Sequence, residues 1–562
     1  MGKRGTKAPF QVLDLYPNCG TYHPGQRSVI HAQLCNHSAE PLPVTGTLQL
    51  MRLGSVVQAL PVAIQLPPRS DASAEWVIPL PADDFQGYGV DLTTTAGDYT
   101  GQASTALDVV SHWALAPRYG FLSDFNPDAP DASTVARELA KFHLTCVQFY
   151  DWMYRHYQFL PPEPEFTDPL GRRLSLHTVQ ERIHACQQHN MAALAYGAAY
   201  GAEPEFLKTH QDWGLFDAEG KPISLAELFY AMNLTPGHPW TQHILGQYQE
   251  AARLGFDGIH LDQYGFAKES CASDGSLVNL ASCFPALINS AAARVRQVRP
   301  DAGIIFNCVN NWPVHTVANT DQEAVYIEVW PPHDRYRDLA ELIRRGRELA
   351  KGKQVILAAY LGFLKEPRQE QRATTGALLT SAAIAACGGF HLLVGEQRGI
   401  LTEGYYVRHA TMQPALYAAL RRHYDFITRY QDLLADPALE DLSTSHIGGI
   451  NEEFRLEGAE HSPMALPGTV WTILRRRPGQ VMLHLINLRG LTDTLWNSPQ
   501  PLPRPMALTL LLPRVPEVRT VSAASPEQPR LMSLATEAAG RHLRVRLPEL
   551  RLWTMVLIET SS

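Results

Sequence analysis

Hydrophobic and polar positions alternate along both ends of the chain, whereas the middle runs in apolar blocks. Ser28–Gln33 (SVIHAQ), Thr47–Leu53 (TLQLMRL) and Ala74–Leu80 (AEWVIPL) repeat with a period near two and are parted by Pro, Gly and Asn. Val470–Leu474, Val481–Asn487, Ala507–Leu512 and Leu552–Ile558 behave alike. Short alternating runs at this spacing predict antiparallel β-sandwiches. The expected units are an N-terminal sandwich over 1–111 and a C-terminal sandwich over 445–562.

Between them, strand-like runs alternate with helix-like runs. The predicted strands are Arg118–Ser123, Thr145–Tyr150, Ala192–Tyr196, Gly258–Asp262, Gly303–Asn307, Val325–Val329, Val355–Tyr360 and Phe390–Gly395. Leu339–Leu349 and Ala373–Cys387 have helical composition, and Thr178–Glu181 reads as a capping box. Eight strand–helix units in about 300 residues predict a (β/α)8 TIM barrel over 112–444. Ala377–Val394, the best membrane-span candidate, carries Thr380, Ser381, Gly388, Gly389 and His391, and reads instead as a helix followed by a strand.

Alternation also sorts side chains by face. In Gly258–Asp262, His260 and Asp262 share one face. In AVYIEVW, Tyr326, Glu328 and Trp330 do. In a barrel this polar set points inward, and catalytic groups sit at the C-terminal ends of strands, where Asp262 and Glu328 lie. The two are 66 residues apart, which fits two βα units and makes them strands 4 and 6. Two carboxylates among aromatic rings suit glycoside hydrolysis: one protonates the departing oxygen, and the other stabilises or attacks the anomeric carbon. Glu328, flanked by Tyr326 and Trp330, reads as the proton donor. Asp262, beside Gln263, reads as the anionic partner in the more polar setting.

QFYDWMYRH at 148–156 supplies Tyr150, Trp152 and Tyr154 for stacking on pyranose faces, and Asp151, Arg155 and His156 for hydroxyls. Asn307, Tyr196, Tyr200 and Glu396 lie at or near other strand ends, Glu396 with a helix-capping alternative. A net charge of −8 over 562 residues, with 45% apolar and 19% charged residues, gives no reason to expect a nucleic-acid or membrane partner and suits a neutral substrate. The eight cysteines show no zinc-like spacing. A metal site on His260 and Asp262 would need a third ligand that the sequence does not offer, so no cofactor or metal is expected.

Several stretches resemble glycoside hydrolase family 66, the dextranases and cycloisomaltooligosaccharide glucanotransferases. PRYGF (117–121), QFYDWMYRH (148–156), FDGIHLDQYG (256–265), FNCVNNW (306–312), YIEVW (326–330), GGFHLLVGE (388–396), YDFITRYQDLL (424–434) and VWTILRRRPGQVMLHLINLRG (470–490) follow the family's order. The resemblance implies a retaining enzyme on α-1,6-glucan, with Asp262 as nucleophile and Glu328 as acid/base, and makes the N-terminal sandwich over 1–111 immunoglobulin-like. It makes Tyr150, Asp151, Trp152, Arg155, His156, Tyr196, Tyr200, His260, Gln263, Asn307, Tyr326, Trp330 and Glu396 candidate substrate contacts. The family's glucanotransferases carry a long carbohydrate-binding insertion within the barrel. This chain has no room for one, so hydrolysis of dextran is the leading expectation, with transglycosylation and non-catalytic glucan binding as alternatives. The resemblance also implies secretion, although MGKRGTKAPFQVLDL is basic and lacks the apolar run of a signal peptide.

Overall fold

A computed structural model describes residues 8–366 and 369–561. The first seven residues of the basic N-terminal stretch lie outside the described residues.

Near the N-terminus, two antiparallel sheets face each other. One pairs Phe10–Pro17, Arg27–Asn36 and Asp71–Pro79. The other runs Ser55–Leu66, Leu42–Arg52, Gln86–Ala96, Tyr99–Val109. Arg27–Asn36 shows why: Ser28, Ile30, Ala32, Leu34 and Asn36 are buried at every second position, so one face packs and the other stays wet. The two inner faces share a core that includes Phe10, Ile30, Leu48, Val90 and Leu107. Near the C-terminus, a seven-stranded sheet built on Val470–Arg477, Gln480–Asn487 and Trp553–Thr560 packs with a four-stranded sheet around a separate core including Leu483, Leu510 and Val556.

The middle of the chain forms a curled eleven-stranded sheet. Tyr119–Leu122, Cys146–Phe149, Ala192–Ala198, Gly258–Asp262, Gly303–Val309, Ala324–Glu328 and Val355–Ala358 pair in parallel, each with the next in this order. Phe390–His391 then pairs with Ile356–Leu357, and Val394–Gly395, three residues on, pairs through Gly395 with Phe121. One short stretch of chain therefore touches both ends of the parallel series. Ala324–Glu328 is buried throughout, as expected of a parallel strand covered on both faces.

Helices fill most of the crossovers. Tyr336–Leu349 buries Tyr336, Leu339, Leu342, Ile343 and Gly346, a stripe at helical spacing. The Asp338 carboxylate accepts from the Arg335 backbone N–H at 2.8 Å at its start. Leu176–Gln188 begins earlier than the capping box at Thr178 implied. Ser175 is the cap, its hydroxyl accepting from the Thr178 N–H at 3.3 Å, so Thr178 is already inside the helix. The 377–394 run is the buried helix Glu370–Ala386 followed by Phe390–His391. Among the described residues no helix is long and apolar enough to cross a membrane. The eight cysteines are all unbonded.

Candidate active site

The strands Gly258–Asp262, Gly303–Val309 and Ala324–Glu328 lie side by side, and their C-terminal ends bring three side chains together. The Asn307 amide donates one N–H to Asp262 Oδ1 at 2.7 Å and the other to Glu328 Oε2 at 3.1 Å. Both oxygens lie on one nitrogen, so they are separated by no more than the sum of these distances, about 5.8 Å. Asp262 also accepts from the Tyr196 hydroxyl and the Gln263 backbone N–H, each at 2.9 Å. Glu328 Oε1 accepts from the Tyr360 hydroxyl at 2.9 Å.

Burial pushes the Asp262 carboxyl up to about 7, and the nearby Glu328 charge adds to the rise. Burial also raises Glu328, against the pull of its Asn307 and Tyr360 donors. Two adjacent carboxyls without a cation between them cannot both ionise cheaply, so the pair holds one proton over part of the pH range. Asp262 has the greater exposure and one more donor than Glu328, yet burial raises its carboxyl as well. Both groups are enclosed by protein, although Asp262 keeps contact with a cavity. They differ in donors: three reach Asp262 and two reach Glu328.

The cavity, about 270 Å³, opens directly on Asp262. Tyr150, Asp151, Arg155, His156 and Tyr196 line it, as do Asp168, Phe229, Tyr264 and Tyr405. Leu170, Leu225 and Leu228 form its exposed rim. Glu328 stands to one side, joined to Asp262 through Asn307. Above it passes the segment Gly404–Tyr406: a Cβ on Gly404 would come within 3.3 Å of Glu328 Oε1, so a side chain there would crowd the carboxylate. Tyr406 stacks on Tyr150 at 4.3 Å between centroids, and its hydroxyl lies 3.0 Å from that of Tyr326. His156 Nδ1 lies 2.9 Å from Glu203 Oε1. Burial opposes a charge on this imidazole, but Glu203, Asp151 and Asp262 outweigh it and raise its affinity for a proton.

The structure gives the other sequence-picked residues different places. Trp330 is 40% exposed and meets Tyr360 at the rim. Trp152 is fully buried, its indole N–H donating to the Tyr196 carbonyl, so it fixes the Tyr196 strand from behind. Tyr200 accepts from the Tyr264 backbone N–H at 2.8 Å. The Gln263 amide donates to the carbonyls of Asn307 and Trp312. His260 and Tyr326 lie one layer deeper in the sheet interior, packed edge-on at 4.7 Å. The His260 ring nitrogen meets the Tyr119 hydroxyl at 3.0 Å, and burial drops its pKa to about 3, which leaves it neutral. Glu396 turns away from the cavity, accepting from the Ser123 N–H and hydroxyl and the Asp124 N–H. It fixes the loop that follows Tyr119–Leu122 and caps no helix, since the next one, Ala132–Ala140, is capped by Asp131. Among the described residues no group of three or more His, Cys, Asp or Glu is placed to hold a metal ion.

Sequence reasoning missed Tyr264, Tyr360, Tyr405, Tyr406, Glu203 and the Asp168–Arg172 pair. Tyr360 carried a signal, an aromatic just past the strand Val355–Ala358. Tyr405 and Tyr406 had none, because they arrive on an irregular segment.

A carboxyl pair joined by one amide, at the ends of adjacent parallel strands and beside a ring-walled cavity, is an arrangement that glycoside chemistry can use. The family model of glycosyl hydrolase family 66 matches residues 18–557, and the chain belongs to that family. A cycloisomaltooligosaccharide glucanotransferase of Niallia circulans is 24% identical over 722 aligned positions, covering all of this chain and 74% of the relative. A second of the same name and organism is 23% identical, covering 96% and 71%. The crystal structure of a Paenibacillus sp. cycloisomaltooligosaccharide glucanotransferase complexed with cycloisomaltoheptaose shares the fold, with a TM-score of 0.89 at 23% identity over 97% of this chain and 99% of that one.

Proposed function

We propose that this chain is a retaining enzyme on α-1,6-linked glucan that passes the cleaved glucosyl chain to a sugar hydroxyl, as a cycloisomaltooligosaccharide glucanotransferase does. The observation that carries the mechanism is the shared Asn307 amide. Its limit of about 5.8 Å between the nearest carboxylate oxygens supports the roughly 5–5.5 Å spacing of a double displacement over the wider gap of an inverting site.

Asp262, with three donors to stabilise its charge, attacks the anomeric carbon. In the form that reacts, the pair's single proton sits on Glu328, which gives it to the departing glycosidic oxygen. As Asp262 becomes an ester its charge disappears, Glu328 no longer faces a neighbouring anion, and its carboxylate takes the proton of the incoming hydroxyl. Asn307 stays bonded to both oxygens throughout. His156, together with Asp151, Tyr196 and Tyr264, holds the sugar hydroxyls.

The same reading makes the curled sheet a (β/α)8 barrel closed through Phe390–Gly395. It divides the chain into an immunoglobulin-like sandwich (1–111), a catalytic barrel (112–444) and a C-terminal sandwich (445–562). The separate apolar cores at the two ends support this division.

Transfer is favoured over hydrolysis by the names of the relatives. Dextran hydrolysis is the second reading, and one observation favours it: 722 aligned positions against 562 residues leave more than a hundred positions of the relative without a counterpart inside the matched span. Incubation with dextran, followed by mass spectrometry, separates the two. Cyclic products, one water lighter than their linear counterparts, support transfer. Linear isomaltooligosaccharides alone move the assignment to dextranase, and no cleavage of dextran rejects both.

A further inference from the structure

A second and larger cavity, about 870 Å³, lies behind one wall of the catalytic cavity. The wall is a three-stranded sheet of Gly201–Ala202, Ser224–Leu225 and Phe229–Ala231. Side chains of a strand alternate between faces, and directly paired residues share a face. Leu225 pairs with Phe229, and both face the catalytic cavity. Ser224 pairs with Tyr230, and Tyr230 lines the second cavity. Adjacent residues of one strand thus serve two cavities, separated by the thickness of a single sheet.

The lining of this groove has the chemistry of a neutral polyol site. Tyr230 and Phe216 are half-buried rings, each showing part of its surface. Lys208 and Gln211 rise from the opposite wall. Among the described residues neither side chain, nor the Tyr230 hydroxyl, has a hydrogen-bond partner within the protein. The Asp217 carboxylate accepts from the Glu219 and Lys221 backbone N–H groups and so fixes the loop that carries Phe216. Lys208 is offset by Asp212 and Asp217, which leaves no strong field for an ionic ligand. Rings that offer an apolar face, unpartnered donors beside them and little net charge suit a saccharide. The turn joining Ser224–Leu225 to the central strand Phe229–Ala231, at Ala226–Glu227, is exposed, so a chain leaving the catalytic cavity can round it.

We propose that this groove is a second saccharide site, which holds a distal stretch of the α-glucan whose other end lies at Asp262. The inference rests on the α-1,6-glucan reading of the catalytic site. Its gain is avidity: a chain held at two places rebinds as an intramolecular event, whereas a chain too short to span them gains nothing.

The test compares the wild type with Tyr230→Ala and with the double variant Lys208→Ala/Gln211→Ala, whose residues lie outside the sheet. KM is measured for dextran and for isomaltotriose, and mobility is measured in native gels cast with dextran. KM for dextran should rise about fivefold or more in both variants, with isomaltotriose unchanged and gel retardation weakened. An unchanged KM for dextran, or an equal rise for both substrates, overturns the proposal. A wild type that cleaves no α-1,6-glucan, yet is retarded by dextran in a manner lost in both variants, rejects the catalytic reading and keeps the groove. A wild type that is neither active on dextran nor retarded by it rejects both.

Discussion

Two sets of buried carboxylates do opposite things in this molecule. Asp262 and Glu328 face each other across an amide, and among the described residues no cation is bonded to either. Asp91 is more completely enclosed than Asp262, but the Arg429 guanidinium grips it with bonds of 3.0 and 3.1 Å, Arg530 lies 3.0 Å away, and the Ser104 hydroxyl donates at 2.6 Å. Burial alone would raise Asp91 as it raises Asp262. The arginines and Ser104 reverse the sign and hold Asp91 below the usual carboxylate range. Asp432 repeats the arrangement, bonded to Arg52 at 2.7 Å and Arg477 at 3.0 Å. Asp91 and Asp432 tie the N-terminal sheets to the helical segment 414–434 and to the C-terminal sheets. A compensated carboxylate is a fixed anion that locks a junction. An uncompensated pair keeps a proton in play, which acid–base chemistry requires.

The largest effect expected is on activity. Asp262→Asn should lower turnover by at least about 10⁴-fold with the fold intact, measured as rate on dextran beside the thermal midpoint. A variant retaining a tenth of the activity would remove the site from the comparison. Next comes Asp91→Ala, which leaves Arg429 buried without its anion. A loss of about 3–5 kcal/mol in urea unfolding is expected, with activity per folded molecule unchanged. A cost under about 1 kcal/mol would mean that the junction does not depend on charge compensation.

Asn307→Ala should cost about 10–100-fold in kcat/KM, since it removes one charge-stabilising donor from each carboxylate. Both limbs of the pH profile should then move to higher pH. Limbs that stay in place would show that Asn307 does not tune the pair. The smallest effect is on stability. The folded pKa of Asp262 lies above its ordinary 3.8, so its contribution is fully present below about 3.8 and is lost as pH rises through about 7. Asp262→Asn cannot lose it. Relative to the wild type, that variant should gain on the order of 1–2 kcal/mol between pH 5 and pH 8, a range allowing for the open cavity beside the group. Asp91 runs the other way, contributing above its ordinary pKa and losing that contribution as pH falls through its lowered one.

The sequence disclosed the strands of the carboxyl pair better than the locks. Gly258–Asp262 was legible to the residue, because a short apolar run ending in a carboxylate between glycines has one natural reading. Alternation placed His260 with Asp262 and Tyr326 with Glu328, but alternation reports a face and not a depth. Both deeper residues are core, and only the shallower ones reach the site. Asn307 was legible as a strand-end amide, yet its bridging role depends on the register of three strands, which local pattern does not carry. Asp91 was silent. It sits in an ordinary-looking strand, and Arg429, which gives it meaning, is 338 residues further on. Tertiary charge pairing leaves no short-range trace.

The claim on which the account rests is that Asp262 and Glu328 act on one sugar ring by two successive displacements. Proton NMR of the first product released from an α-1,6-linked oligosaccharide, recorded before mutarotation, tests it most directly. The attacked anomeric carbon should be α in that product, whether as a free end or as a new linkage; a β configuration there would contradict the account.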